Sequence, residues 1–327
     1  MPGILVIKFG ALGDVVIATS AIRSIQLAHP GKELWVMTGQ PFASIFQNWP
    51  GIKVHAIERK GVFNNAKHLL WLRRQRFEQI FDLQSNDRSS LLCALSGVAV
   101  RVGNHPRFPY TVHPPTTHGM DEPGYRRQML MLEAAGLPAP QPRPYLPISA
   151  EQKMAVENWL AEHRLNDRQF ALMHAGASPM WPAKRWPYFE ALSKRIANRG
   201  LGVVWLGAGM DRSINARLAQ VAGIDATDVF SVTQLAELAR HARFAIANDS
   251  GPMHVLSAAD IPVYGLFGPT DWRRCHAMGQ RELALANNQP CSACARPDRA
   301  SASDHSCLPG ISAELVFNRL LRDKLIE

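Results

Sequence analysis

The sequence predicts an α/β protein made of two doubly wound parallel sheets, and three observations carry that expectation. Short unbroken apolar runs such as Ile4-Leu5-Val6-Ile7 and Val263–Phe267 have the length and character of strands buried on both faces. They alternate with segments whose apolar residues recur at helical spacing, the order that yields parallel strands covered by helices. The alternation runs twice, on either side of Pro138-Ala139-Pro140-Gln141-Pro142-Arg143-Pro144, in a chain of 327 residues that is too long for one typical core.

The first half opens with a strand at Ile4–Phe9 and a tight turn at Gly10–Gly13. Val15–Ala28 reads as a helix stopped near Pro30-Gly31. Glu33–Thr38 is the next strand, Phe42–Trp49 a short helix, and Lys53–Ile57 a third strand. A basic helix around Asn65–Gln75, a strand at Gln79–Leu83, a helix at Ser89–Ser96 and a strand at Ala99–Val102 continue the order. Between Arg101 and Thr117 the pattern dissolves into His, Pro and Tyr, as a loop does. Tyr125–Ala135 is a helix ended by Gly136. The proline run that follows suits a stiff connection between domains.

The second half repeats the theme. Helices are expected at Glu151–Glu162, Trp186–Arg199, Arg212–Ala222, Val232–His241, Met253–Ala259 and Glu314–Leu325. Strands are expected at Phe170–His174, Leu201–Leu206, near Val229, at Ala245–Ala247 and at Val263–Phe267. Two such domains leave a cleft, and ligands of open α/β sheets sit beyond the carboxyl ends of the strands.

Composition narrows the function. The apolar fraction of 46% is that of a globular protein. No apolar run approaches the roughly 18 residues of a membrane span, and the N-terminus begins as a strand rather than a leader, so the chain is expected in the cytoplasm. The net charge is +9 and unevenly spread. Residues 1–150 hold 16 Lys and Arg against 9 Asp and Glu, a net of +7, whereas residues 151–327 hold 20 against 18, a net of +2. A basic first half points either to a solvated surface or to an anionic partner. Arg88 and Arg107 belong to this set, as do Lys60 and the Arg73–Arg76 run, and guanidinium groups grip phosphate or carboxylate in bidentate fashion. No nucleic-acid motif accompanies them, which argues against nucleic acid as the partner.

Five segments and a group of cysteines carry residue types suited to chemistry. Gly10-x-x-Gly13-Asp14 lacks the third glycine of a dinucleotide fingerprint, and it places Asp14 at a helix start. There Asp14 is either a capping residue or a general base that takes a proton from a sugar hydroxyl. His174-Ala175-Gly176-Ala177-Ser178 ends a strand in small residues that admit close backbone approach. Beyond it, Ser178 offers a hydrogen bond and Lys184 a point charge to a phosphate. Asn248-Asp249-Ser250-Gly251-Pro252-Met253-His254 follows another strand and opens a helix. Its free N–H groups suit a pyrophosphate, with Gly251 allowing approach, Pro252 fitting the first turn and His254 one turn further in. The competing structural roles are caps for Asp249 or Ser250 and a core position for His254. Gly207-Ala208-Gly209-Met210-Asp211 places Asp211 either on ribose hydroxyls or as a helix cap. The turn Gly268-Pro269-Thr270 closes the last strand. Finally, Cys275, Cys291, Cys294 and Cys307 are spaced for a tetrahedral zinc or iron site or are plain thiols.

Taken together, Ile7-Lys8-Phe9-Gly10-Ala11-Leu12-Gly13-Asp14-Val15, Lys184-Arg185-Trp186-Pro187, the Asn248–His254 segment and Leu266-Phe267-Gly268-Pro269-Thr270 resemble the heptosyltransferases of glycosyltransferase family 9. The resemblance spans about residues 4 to 310 and includes Asp82-Leu83-Gln84-Ser85 with Arg88. It implies a GT-B fold, two Rossmann-like domains whose parallel sheets face across a cleft. Residues 1–145 would bind the acceptor, 146–310 the nucleotide sugar, and 311–327 would form a C-terminal helix. It implies inverting transfer of heptose from ADP-heptose to an anionic lipopolysaccharide inner-core glycolipid, with peripheral contact at the inner membrane and no cofactor for the chemistry. Asp14 and Lys184 would be catalytic. Gly13, Ser178, Lys184, Asp211, Asp249, Ser250, Gly251 and His254 would hold the donor, and Lys60, Arg88 and Arg107 the acceptor. The loop at Pro179-Met180-Trp181-Pro182 departs from the hydroxyl residues common in the family. The cysteines resemble those of members that modify proteins and carry an iron-binding loop, which opens a protein acceptor as an alternative. An NAD-dependent oxidoreductase using the first glycine turn, and a basic binding protein without catalysis, are the alternatives from other classes.

Overall fold

The structure is a computed structural model that describes residues 3–58, 62–116, 122–165, 167–287, 293–295 and 307–327. Its chain contacts divide into two compact units, Met1–Pro147 and Ile148–Glu327. Each is an α/β unit around one parallel sheet, as the alternation of apolar runs predicts.

In the first unit the order is β1 (Ile4–Ile7), α1 (Leu12–Ala28), β2 (Leu34–Gly39), β3 (Ile52–Ile57), α2 (Val62–Gln75), β4 (Gln79–Asp82), α3 (Asp87–Leu95), β5 (Val100–Val102) and α4 (Gly124–Ala134). The strands lie side by side as β3-β2-β1-β4-β5. The order turns around between β1 and β4, whose residues pair from Ile4 with Gln79 to Ile7 with Asp82. That junction is the point at which such sheets leave a crevice for a ligand. All four residues of β1 are fully buried. One core layer gathers Leu5, Ile7, Met37, Ile80 and Leu92 under α2 and α3.

In the second unit the order is α5 (Ala150–Glu162), β6 (Phe170–His174), α6 (Phe189–Ala197), β7 (Gly202–Trp205), α7 (Arg212–Val221), β8 (Ile224–Asp225), α8 (Val232–His241), β9 (Phe244–Asn248), α9 (Gly251–Leu256), β10 (Val263–Phe267), α10 (Trp272–Cys275), β11 (Ala284–Ala286) and α11 (Ala313–Arg322). The sheet order is β11-β10-β9-β6-β7-β8, with the reversal between β6 and β9. Strand alternation splits the core in two. Ala171 and Met173 face one layer with Trp186, Trp205 and Leu320, and Phe170 and Leu172 face the other with Val156, Leu238 and Leu256. α11 belongs to the first of these layers, and Trp186 Nε1 ties its approach by donating to the Ile311 carbonyl at 2.6 Å.

Several expectations shift in detail. α1 begins at Leu12 because Asp14 occupies its third position and accepts from the Ala11 N–H at 3.3 Å. The segment after β2 is a 3₁₀ turn at Gln40–Phe46. The strand expected near Val229 lies at Ile224–Asp225, and β11 and α10 had no sequence signal long enough to find. The proline run is packed against its own unit: Tyr125 Oη donates to the Pro140 carbonyl at 2.6 Å, Ser20 Oγ donates to the Gln141 carbonyl, and the Tyr145 N–H donates to Thr19 Oγ1 at 2.9 Å.

One contact between β3 and α2 is sensitive to acid. His55 Nε2 lies 2.9 Å from His68 Nδ1, and the His55 ring stacks on Trp71 with centroids 3.6 Å apart. Burial, then the neighbouring His68 and Lys67, push His55 down from 6.5 to about 4. The unfolded chain therefore takes up this proton near the ordinary value, and the folded chain only well below it. The contribution is complete above about pH 6.5 and is lost as the pH falls toward 4. Urea midpoints measured between pH 7 and 5 are expected to fall less steeply for His55→Gln than for the parent chain. Equal slopes would show that this pair does not titrate on unfolding.

Candidate active site

Both reversal points collect polar side chains at the carboxyl ends of their strands. In the first unit, Gly10 turns the chain after β1 with φ +145°, and a side chain there would meet the Phe42 ring at 2.6 Å. The turn leads to an exposed Asp14 in the first turn of α1. Asp14 lines a recess with Lys8, Ser85, Asn104, Arg127 and Gln128. Lys8 is buried and donates to the Leu83 carbonyl at 3.2 Å. Burial lowers its pKa against the opposing pull of Asp14. Among the described residues, Asn104 Oδ1 and Gln128 Oε1 are buried without a hydrogen-bond donor.

The loop after β4 is fixed by Asp82. This fully buried carboxylate accepts from the Gln84 and Ser85 N–H groups at 3.1 and 2.9 Å and from Tyr110 Oη at 2.6 Å. Burial raises its pKa despite these bonds. Gln84 in turn accepts from the Phe9 N–H at 3.0 Å, which joins the two loops. A second recess beside the Gly10 turn is lined by Phe9, Phe42, Ile57, Asn86 and Arg88. The Arg88 guanidinium lies 5.4 Å from the Phe9 ring centre.

The second unit holds a denser network. Asn248, fully buried at the end of β9, donates through Nδ2 to the Ala175 and Gly176 carbonyls at 2.9 and 3.1 Å. Its Oδ1 accepts from the Trp186 N–H at 3.1 Å. Both ends of the connection between β6 and α6 are thus held by one side chain. Lys184 Nζ pairs with Asp249 Oδ2 at 2.7 Å, and Thr270 Oγ1 donates to the same oxygen at 2.5 Å. The ammonium also lies 5.1 Å from the Trp181 ring centre. Ser250 Oγ is 3.1 Å from His174 Nδ1, and His174 Nε2 is 3.8 Å from Asp211 Oδ2. Burial pushes the Asp211 pKa up, but the His174 ring, the Ala208 N–H and the charge of Arg185 outweigh it and hold the carboxyl below its usual range. Cys275, near this group, is pushed up to about 11, first by burial and then by Asp249.

The structure therefore brings Lys184, Asp249 and Thr270 together, and His174, Asp211 and Ser250 together. Gly251 opens α9, and His254 is buried one turn inside it. Ser178 is exposed, and its hydroxyl accepts from the Met180 N–H at 3.3 Å within its own turn. Gly13 is buried in the first turn of α1. Arg107 is exposed and lines neither recess of the first unit, whereas Arg88 lines one. Lys60 and Cys291 lie outside the described residues. Cys275, Cys294 and Cys307 form no disulfide, and among the described residues no group of three His, Cys, Asp or Glu side chains gathers to hold a metal. The zinc or iron expected at the cysteines is thus unsupported. Between them, the Ala293 and Ala295 N–H groups donate to the Gly268 and Pro269 carbonyls.

Sequence reasoning passed over Lys8, Asn104, Gln128, Trp181 and His174 as site residues. A lysine and a histidine at the ends of apolar runs were readable signals, because a strand seldom ends in a charge without a partner. Asn104 and Gln128 come from a loop and a helix with no local mark.

Residues 66–302 match the family described as "Glycosyltransferase family 9 (heptosyltransferase)". A curated relative, lipopolysaccharide heptosyltransferase 1 of Pseudomonas aeruginosa, is 27% identical over 317 residues, covering 89% of this chain and 85% of its own. Among solved structures, a family 9 glycosyltransferase from Veillonella parvula superposes with a TM-score of 0.80 at 20% identity over 99% of this chain and 97% of its own. The E. coli heptosyltransferase WaaC with ADP-2-deoxy-2-fluoro heptose superposes with a TM-score of 0.71 at 19% identity over 98% and 99%. These likenesses show the GT-B fold.

Gly176 has no room for a side chain in the second network, since a Cβ there would lie 2.2 Å from Asp211 Oδ1. Gly176→Ala is expected to cost about 1–3 kcal/mol through overpacking, read as a lower urea midpoint. An unchanged midpoint would mean that Asp211 can rotate away.

Proposed function

Because the chain belongs to glycosyltransferase family 9 and is a glycosyltransferase, we propose that it moves heptose from ADP-heptose to a hydroxyl of an anionic lipopolysaccharide inner-core acceptor. The observation that supports this most is the Lys184–Asp249–Thr270 group at the β6–β9 reversal, with Ser250 and Asp211 beside it. The curated relative from P. aeruginosa is named as a lipopolysaccharide heptosyltransferase.

The reaction is a displacement with inversion. The acceptor oxygen attacks the anomeric carbon as Asp14 takes its proton. The bond from that carbon to the β-phosphate oxygen breaks, and ADP leaves with the electron pair. Lys184 and the N–H groups of Ser250 and Gly251 meet the charge that develops on the diphosphate. Asp249 plays a different part from the one its position in the motif suggested. A carboxylate repels a diphosphate, so Asp249 serves as the counter-ion that holds Lys184 in place until the phosphate takes over the pairing. Asp211, kept ionised, accepts from ribose hydroxyls. On the first unit, Asn104 Oδ1 and Gln128 Oε1 have free lone pairs for acceptor hydroxyls, while Lys8, Arg127 and Arg88 supply positive charge for an anionic acceptor. The chemistry uses the chain's own residues and needs no cofactor.

Calorimetry with ADP, UDP, GDP and NAD is expected to show preference for ADP, lost in Lys184→Ala. Binding of UDP, GDP or NAD without preference for ADP would overturn ADP-heptose as the donor. Asp14→Asn is expected to lower kcat by about 10²–10⁴-fold while leaving ADP affinity unchanged, as loss of a general base does. Retained kcat would reduce Asp14 to a helix cap.

A further inference from the structure

His174 closes β6 and is 3% exposed. No step of the reaction given above uses it. Its Nδ1 lies 3.1 Å from Ser250 Oγ, which is also 3.1 Å from the Asn248 carbonyl. Ser250 stands just before α9, where a serine hydroxyl ordinarily caps the helix. This hydroxyl makes no cap bond and faces the ring and the carbonyl instead. A hydroxyl has one hydrogen to give, and a carbonyl oxygen only accepts. Both contacts are hydrogen bonds at once when the Ser250 hydrogen goes to the Asn248 carbonyl and His174 donates an Nδ1 hydrogen to Ser250 Oγ. On the far side of the ring, Nε2 stands 3.8 Å from Asp211 Oδ2. That is too long for a hydrogen bond, so the carboxylate does not claim the ring hydrogen for Nε2.

We propose that His174 is a positioning residue for the donor diphosphate, acting through the Ser250 hydroxyl. The inference rests on the reading above, in which Ser250 faces the diphosphate, and adds a side-chain donor to the N–H groups named there. With the Nδ1 hydrogen bonded to its oxygen, Ser250 keeps its place when its own hydrogen turns from the Asn248 carbonyl to a phosphate oxygen. The chain of two bonds polarises the hydroxyl and strengthens its donation. A bond to a charged oxygen belongs to the stronger class, and a side chain already ordered loses little further entropy in making it. The ring keeps its hydrogen throughout, and no covalent bond changes.

The test is a pair of polar variants read by calorimetry with ADP and with adenosine, which lacks the phosphates. An asparagine amide sets its N–H near the place of Nδ1, and a glutamine amide sets its own near Nε2. His174→Gln and Ser250→Ala, which keeps the Ser250 N–H, are each expected to weaken ADP binding by about tenfold or more. The double variant is expected to lose no more than the larger single loss. His174→Asn is expected to stay within about threefold of the parent chain, and adenosine affinity to change by less than about twofold in every variant. Equal losses in His174→Asn and His174→Gln would overturn the proposal, as the mark of a residue that only fills space. So would additive losses in the double variant, or adenosine binding that falls in step with ADP binding. Melting curves establish that each variant folds. Ser250→Ala, at a half-buried site, overturns the proposal by itself if ADP binding is unchanged. Failure of the donor reading shows separately, as a parent chain without preference for ADP.

Discussion

A parallel strand that ends in a loop leaves backbone groups with no ladder partner, and in both units a buried polar side chain at the strand end satisfies them. In the second unit that residue is Asn248, whose amide reaches two carbonyls of the loop after β6 and the N–H of Trp186. In the first it is Asp82, which binds the two N–H groups of its own loop and the Tyr110 hydroxyl. Both are fully buried, so each bond lost would leave a desolvated group at a cost of about 1–3 kcal/mol. The sites rest on these anchors. Lys184 is two residues from the N–H that Asn248 holds, and Gln84 and Ser85 are the residues that Asp82 holds.

The anchors let charge be placed before a ligand arrives. Lys184 is already paired, with Asp249 on one side and Trp181 beneath it. A free lysine would lose side-chain entropy on binding a phosphate, whereas this one has already been ordered. The same logic holds around Asp14. Its neighbour Lys8 is buried and tied to Leu83, so it contributes a field rather than a mobile contact. Glycines complete the arrangement where side chains would collide, Gly176 against Asp211 and Gly10 against Phe42. The polar residues are thus fixed at the strand ends by packing, and small residues make room for them.

Most of the fold was legible because its signals are local. β6, α8 and β10 fall at the residues that their apolar spacing predicts. The misses are also physical. β8 has two residues and β11 three, too short for any periodicity, and they form because a neighbouring strand offers an edge. The proline run looked like a connection because prolines break helices and ladders. Its carbonyls are free to accept from Tyr125 and Ser20, and those bonds hold it to the first unit. Among the candidate site residues, the motif segments at Asp14, Lys184 and Ser250 are readable by residue type and place. The side chains that meet them are not, because Asn104, Gln128 and Trp181 reach the site from loops and helices whose approach depends on the whole unit.

By itself the sequence determined the α/β class, the two-fold repetition of the theme and the strand ends at which polar side chains gather. Hydrophobic spacing and turn residues act over a few positions and need no partner to be read. Tertiary structure alone decided that Asp249 faces Lys184 and that His174 stands between Ser250 and Asp211. Those outcomes depend on which strands lie side by side. A linear chain does not contain that adjacency until the sheets have formed.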